Sequence, residues 1–141
     1  VSWCMNVGEK IDPEYKKWFQ IVYDAREDAR QFIQARLDAG EKVRGYEVDR
    51  RLKERFEQLG CAQYLMHRTG HNIGHRCHGI GANLDDYETH DDRCLLPGTM
   101  FSIEPGLYTD KYGVRLEYDV HITSEGETKV YGPVQDEILV I

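Results

Sequence analysis

The spacing of apolar residues changes period once along the chain, and that change decides the fold class. Between residues 13 and 59 apolar side chains recur mostly at steps of three and four, the repeat of one helix face. From residue 100 onward they alternate with polar ones, the repeat of a strand with one buried side. A strand, two helices and then an antiparallel sheet define an α+β architecture.

The boundaries follow from punctuation. Asp12-Pro13-Glu14 supplies a capping oxygen, a proline for the first helical position and an acid for the first turn. Trp18, Val22, Ala25, Ala29, Phe32 and Ile33 share a stripe, so a helix is predicted from Pro13 to Ala39, with Gly40 ending it. A second is predicted from about Tyr46 to Leu59 on the series Val48, Leu52, Phe56 and Leu59, stopped by Gly60. Residues 2–7 read as a short strand closed by Gly8, and Met100 to Glu104 as another ending at Pro105-Gly106. Val114 to Thr123 reads as one continuous strand, with Val114, Leu116, Tyr118, Val120 and Ile122 facing inward. Ser124 to Glu127 turns into a strand at Thr128-Lys129-Val130, and Glu137 to Ile141 makes the last one.

At 141 residues the chain accommodates one domain or part of one. A net charge of −7, from 18 basic and 25 acidic residues, argues against a nucleic-acid or anionic-membrane partner, because phosphate binding is driven by cationic side chains. The longest apolar run, Ile138-Leu139-Val140-Ile141, falls far short of the roughly 20 residues that span a bilayer. Four cysteines are too sparse for a disulfide-stapled scaffold and no signal segment opens the chain, so a reducing, cytoplasmic location is expected. Val1 stands within what reads as a strand, which leads to the expectation that the sequence begins partway into a larger protein. Half of a domain should then expose apolar surface that its other half would cover.

Ligand-type side chains concentrate in one segment. Four of the six histidines, His67, His71, His75 and His78, fall within 12 positions. Gly70, Gly74 and Gly79 disfavour a helix there, so the segment is expected to be extended or looped, with imidazoles able to converge. Two acids on strands are the other candidates. If Phe101 and Ile103 face the core, Ser102 and Glu104 share the opposite side, and Glu117 lies on the polar side of its own strand between Arg115 and Asp119. Should those sides face one cleft, Glu104 and Glu117 join the histidines in a mixed oxygen and nitrogen site, better suited to Mn²⁺, Zn²⁺, Co²⁺ or Fe²⁺ than to Ca²⁺. The plain alternative is a solvated strand face. A rival zinc site can be drawn from Cys77-His78 and His90-x-x-x-Cys94, although adjacent ligands on a strand point to opposite faces. A phosphate cradle at Gly70-His71-Asn72-Ile73-Gly74 lacks the lysine and the full glycine spacing of that motif.

The ordered set His67-Arg68-Thr69-Gly70-His71-Asn72-Ile73-Gly74, then His78-Gly79, then Pro97 through Glu104-Pro105-Gly106 to Tyr108, then Gly113-Val114-Arg115-Leu116-Glu117, resembles the pita-bread metallopeptidases. That family includes aminopeptidase P, prolidase and methionine aminopeptidase. The stretch Gly81 to Asp85 and on through Glu88-Thr89 is most similar to its Xaa-Pro peptidase branch. The resemblance covers about residues 64 to 123. It implies a pita-bread fold and a centre of two divalent ions, Mn²⁺ first and Zn²⁺, Co²⁺ or Fe²⁺ as alternatives. His71, Glu104 and Glu117 would be metal ligands, with Glu117 reaching both ions. Glu104 would also accept the proton of the attacking water. His67 and His78 would line the substrate pocket and steady the developing oxyanion, and Arg115 would orient Glu117. The implied activity is hydrolysis of the peptide bond preceding proline, in peptides or dipeptides, by a metal-bound hydroxide.

The family completes this centre with two aspartates ahead of the first long helix, and no matching pair stands here. Residues 1–141 are therefore expected to be the C-terminal portion of one catalytic domain, inactive alone, whose parent is an active peptidase free to be a homo-oligomer. Two alternatives stay open: a creatinase-like hydrolase acting on a small C–N substrate without metal, and a catalytically silent binding module of the same fold.

Overall fold

Asp12 begins the first helix of the computed structural model, which describes residues 1–141. Helix α1 spans Pro13–Asp38, and Asp12 Oδ1 accepts the Glu14 amide at 2.8 Å. The Tyr112 hydroxyl, the Glu14 amide and the Lys111 ammonium together hold the Asp12 carboxyl down to about 2. Helix α2 spans Gly45–Gln58. Gly40 and Gly60 lie just past the two ends at φ 69° and 68°, the left-handed conformation that glycine adopts without strain.

The buried face of α1 carries Tyr15, Phe19, Val22, Ala25, Arg26, Ala29 and Ile33. Trp18 and Phe32, expected on that face, are half-buried flanks packed against the core. On α2 the expectation holds for Val48, Leu52 and Phe56, but Leu59 lies beyond the last turn and is 50% exposed. Arg26, which is not among the residues of the predicted stripe, has no exposed surface at all. Its guanidinium stands 4.5 Å from the Tyr118 ring centre and 5.0 Å from that of Tyr23, and donates to the Gln135 carbonyl at 3.2 Å. Stacking on two aromatic faces replaces part of its hydration.

The strands are β1 (Met5–Asn6), β2 (Asn72–Ile73), β3 (Met100–Ile103), β4 (Gly106–Tyr108), β5 (Gly113–Arg115), β6 (Tyr118–Ile122), β7 (Thr128–Tyr131) and β8 (Leu139–Val140). Four form an antiparallel sheet in the order β2-β3-β6-β7, β4 and β5 form an antiparallel pair, and β1 pairs with β8 in parallel. The two helices pack on these strands around a core that takes in Phe101, Ile103, Leu107 and Tyr118. The β1 and β8 pairings are shorter than the predicted strands, and Trp3, Met5, Val7, Leu139 and Val140 remain exposed beside them. No helix is long and apolar enough to cross a membrane.

The strand expected from Val114 to Thr123 is two. Its alternation survives, since Val114, Leu116, Tyr118, Val120 and Ile122 are all buried, but the ladder breaks at Leu116-Glu117. There the Leu116 amide donates to the Pro105 carbonyl at 3.4 Å and the Glu117 amide to the Ser2 carbonyl at 3.2 Å. Pro105 interrupts the facing segment as well, having no N–H to give. Both breaks fall beside an acid of the expected centre, and both turn that acid toward a new neighbour.

Candidate metal centre

The histidine segment is fixed by unusually close backbone approach. Gly70 is clamped between β3 and the strand-like bridge to Leu84, where a Cβ would stand 2.0 Å from the Ser102 carbonyl oxygen. The His71 amide donates to Ser102 Oγ at 3.0 Å, and the Ser102 amide returns to the His71 carbonyl at 2.9 Å. The Glu104 amide then leaves the sheet for the Thr69 carbonyl at 2.7 Å. Asp49 on α2 anchors this region from below, accepting the Thr69 amide at 2.7 Å, the Thr69 hydroxyl at 2.6 Å and the Asp86 amide at 2.7 Å. Burial pushes the Asp49 carboxyl up, against these three donors.

One donor atom each from His71, Glu104 and Glu117 lies within 4.8 Å of the others. His71 is buried and the two acids are half-buried. His71 Nδ1 sits 3.1 Å from the Asn72 carbonyl, an acceptor only, so in the neutral ring Nδ1 carries the proton and Nε2 keeps the lone pair. That lone pair is 3.4 Å from Glu104 Oε1. Ser102 Oγ donates to the same oxygen at 3.1 Å, and Ser2 Oγ donates to Glu117 at 2.7 Å. Two carboxylates converging on an imidazole lone pair is a donor set that fits a divalent cation of the Mn²⁺ or Zn²⁺ kind. Arg115 makes its ion pair with Glu104, at 3.9 Å, and none with Glu117. It thus stands beside the other carboxylate from the one the family pattern assigns it to.

The two pocket histidines differ in what they have free. His67 is engaged at both nitrogens: Nδ1 faces the Arg68 carbonyl at 2.7 Å and Nε2 takes the Tyr108 hydroxyl at 2.8 Å. Burial raises the Tyr108 phenol, which favours the protonated form that makes this bond. His78 is exposed, stands edge-on to the His71 ring at 4.2 Å and makes no hydrogen bond. These histidines, His71, both acids and Arg115 line one open cleft of about 430 Å³.

The two rival sites drawn from the sequence do not form. His90 is held by Asp86 at 2.6 Å and stacked on Tyr46 at 4.3 Å, and neither it nor Cys94 belongs to any group of converging ligands. The cause is the anchoring of residues 85–94 to α2 through Asp49 and through the Tyr46 amide, which donates to the Asp91 carbonyl at 2.9 Å. The proposed phosphate cradle has its amides spent: His71 N on Ser102, Asn72 N on Asn83 Oδ1 at 2.9 Å and Gly74 N on the Arg76 carbonyl at 3.1 Å.

Sequence reasoning passed over three residues of the site. Ser102 was within reach, since period-two alternation puts it beside Glu104. Tyr108 stood in the quoted motif without a role. Asp49 carried no signal, because an acid in a helix reads as solvated.

A pita-bread architecture with converging histidine and glutamates defines a metallopeptidase fold, and solved structures agree. The chain superposes on the X-Pro aminopeptidase of Thermotoga maritima with a TM-score of 0.80 at 27% identity, covering 97% of this chain and 36% of that one. The Xaa-Pro dipeptidase of Bacillus anthracis gives 0.78 at 28% identity, with 97% and 36% covered. Residues 1–124 match metallopeptidase family M24, and the chain belongs to that family. A probable dipeptidase, PepE, of Mycobacterium tuberculosis is 36% identical over 90 residues, 62% of this chain and 23% of that protein. The chain thus spans between about a quarter and somewhat over a third of the relatives it matches.

Proposed function

We propose that this chain is the C-terminal part of the catalytic domain of an Xaa-Pro peptidase of the aminopeptidase P or prolidase type, and that His71, Glu104 and Glu117 are its share of a centre for two divalent ions, Mn²⁺ first. The observation that carries this is the convergence of those three donor atoms within 4.8 Å from three separate segments. Proline specificity is supported by the two structural relatives, an X-Pro aminopeptidase and an Xaa-Pro dipeptidase. A cytoplasmic setting is supported by four cysteines that are all free thiols.

When bound, the ions supply a water of lowered pKa and a Lewis acid for the scissile carbonyl. The residues of this chain do the rest. Glu104, within hydrogen-bond reach of Ser102 and beside Arg115, takes the proton of the attacking water and returns it to the leaving amine. His78, with unengaged ring nitrogens at the cleft, donates to the carbonyl oxygen as charge grows there. His67 shapes the pocket wall through its bond to Tyr108.

Charge sets what the chain does alone. Two carboxylates offset only half the charge of two divalent ions, whose mutual repulsion at close range is severe. The 141-residue chain is therefore expected to bind one Mn²⁺ and to leave an Xaa-Pro dipeptide intact. Calorimetric titration with Mn²⁺, followed by a dipeptide hydrolysis assay, checks both. Hydrolysis that vanishes in Glu104→Gln would contradict the expected inactivity, and failure to bind any ion would contradict the ligand assignment.

A further inference from the structure

Cys77 is the exposed thiol of the chain; Cys4 and Cys61 are buried and Cys94 is half-buried. It lies in the wall of the cleft, next to His78, with one ligand atom each of His71, Cys77 and His78 inside 4.8 Å of the others. Neither adjacent ligand is wasted, because the backbone here is a loop: the objection that neighbouring side chains diverge applies to a strand.

The loop is held by its two ends. Asn72 accepts the Gly79 amide at its carbonyl, at 2.8 Å, and the Gly81 amide at its side-chain oxygen, at 3.0 Å, while its side-chain nitrogen donates to the Met100 carbonyl at 3.0 Å. A Cβ at Gly79 would stand 2.1 Å from that same side-chain oxygen, so the loop closes over Asn72 only because glycine is there. The result is a clip that carries Cys77 and His78 back over His71.

We propose that His71, Cys77 and His78 form a second cation site, selective for a thiophilic divalent ion such as Zn²⁺, distinct from the site His71 makes with Glu104 and Glu117. Tetrahedral zinc places its nitrogen and sulfur ligands roughly 3.5 Å apart. With the present spacing inside 4.8 Å, closing it asks for no more than about 1.3 Å of movement, available from two exposed side chains. The donor chemistry separates the two sites. One thiolate with two imidazoles favours zinc and its analogues, whereas two carboxylates with one imidazole also accept Mn²⁺. The exposure of Cys77 and His78 leaves the fourth position open to water or to a small ligand in the cleft.

The sites exclude one another. With His71 Nδ1 committed to the Asn72 carbonyl, Nε2 is the one nitrogen His71 can give, and it serves a single ion. If His71 is also a ligand of the peptidase centre proposed above, an ion on Cys77 withdraws it, and zinc becomes an inhibitor where Mn²⁺ is an activator. That consequence rests on the peptidase assignment; the existence of the site does not.

Cobalt titration of the reduced chain tests it, since a thiolate bound to Co²⁺ gives a near-ultraviolet charge-transfer band that carboxylate and imidazole ligands lack. The expected result is a band saturating at one ion per chain, lost in Cys77→Ser and kept in Glu117→Gln. In parallel, Cys77→Ser should lower Zn²⁺ affinity at least about tenfold while leaving Mn²⁺ affinity unchanged. No band in the unaltered chain, a band that survives Cys77→Ser, or Zn²⁺ affinity that follows Glu117 and ignores Cys77 would each overturn the site. Loss of Mn²⁺ binding in Glu104→Gln is a separate readout, so failure of the peptidase assignment and failure of this site are told apart.

Discussion

Glu104→Gln should abolish the Mn²⁺ binding proposed above while leaving the fold in place. The substitution keeps the shape of the side chain and an oxygen for the Ser102 hydroxyl, now 3.1 Å from Oε1, but removes one of the two negative charges that face the His71 lone pair. Residues standing behind metal ligands are each worth roughly 10–100-fold in affinity, so a ligand itself should be worth at least about 100-fold. Calorimetric titration of the variant reads this directly. The melting temperature should change little, because Glu104 is half-buried and its amide keeps its bond to Thr69. Glu125→Gln, in the exposed turn before β7, is the control and should bind as the unaltered chain does. An affinity unchanged in Glu104→Gln would remove that acid from the site.

The largest effect on stability is expected at Arg26. Its guanidinium is wholly buried between Tyr118 and Tyr23, pairs with Glu27 at 3.1 Å and donates to the Gln135 carbonyl. Arg26→Ala leaves a cavity against two rings and a buried carbonyl without its donor, a loss of about 3–5 kcal/mol. For a chain of this length that corresponds to a fall of roughly 10–17 °C in Tm. Arg26→Met fills the same space without the charge, and should lose about half as much. Thermal unfolding followed by circular dichroism compares the three proteins. A melting temperature within experimental error of the unaltered chain in Arg26→Ala would show that the stacked arrangement contributes nothing.

Arg26 also shows where the sequence is opaque. Both helices were legible to within a residue or two because their ends carry separate chemical signals: Asp12 and Pro13 at the start of α1, Gly40 and Gly60 past the two stops. Which face of α1 turns inward was less so, since an arginine among apolar neighbours reads as solvated until Tyr118, 92 residues away, supplies a ring. The inward residues of the second half were legible from alternation alone. The break at Leu116-Glu117 was not, because it arises from Pro105 across the sheet and from the Ser2 carbonyl, neither visible in the local pattern.

The site divides in the same way. Its ligand candidates were recoverable as residue types in ordered motifs, and the structure gathers His71, Glu104 and Glu117. What holds them was hidden. Asp49 reaches the centre through Thr69, whose carbonyl receives the Glu104 amide, a route from helix to loop to strand that no spacing encodes. The state of His67, engaged at both nitrogens, depends on Tyr108 arriving from β4. Cys77 was weighed with His90 and Cys94 on ligand type and spacing alone, whereas the looped backbone brings it beside His71 and His78.

Pulsed electron paramagnetic resonance of the Mn²⁺-loaded chain asks most directly whether one imidazole and two distant acids share an ion. The spectrum should show coupling to a single directly bonded nitrogen, absent in His71→Ala and present in His78→Ala. Nitrogen coupling that persists without His71, or bound Mn²⁺ with no nitrogen coupling at all, would mean that the ion sits elsewhere.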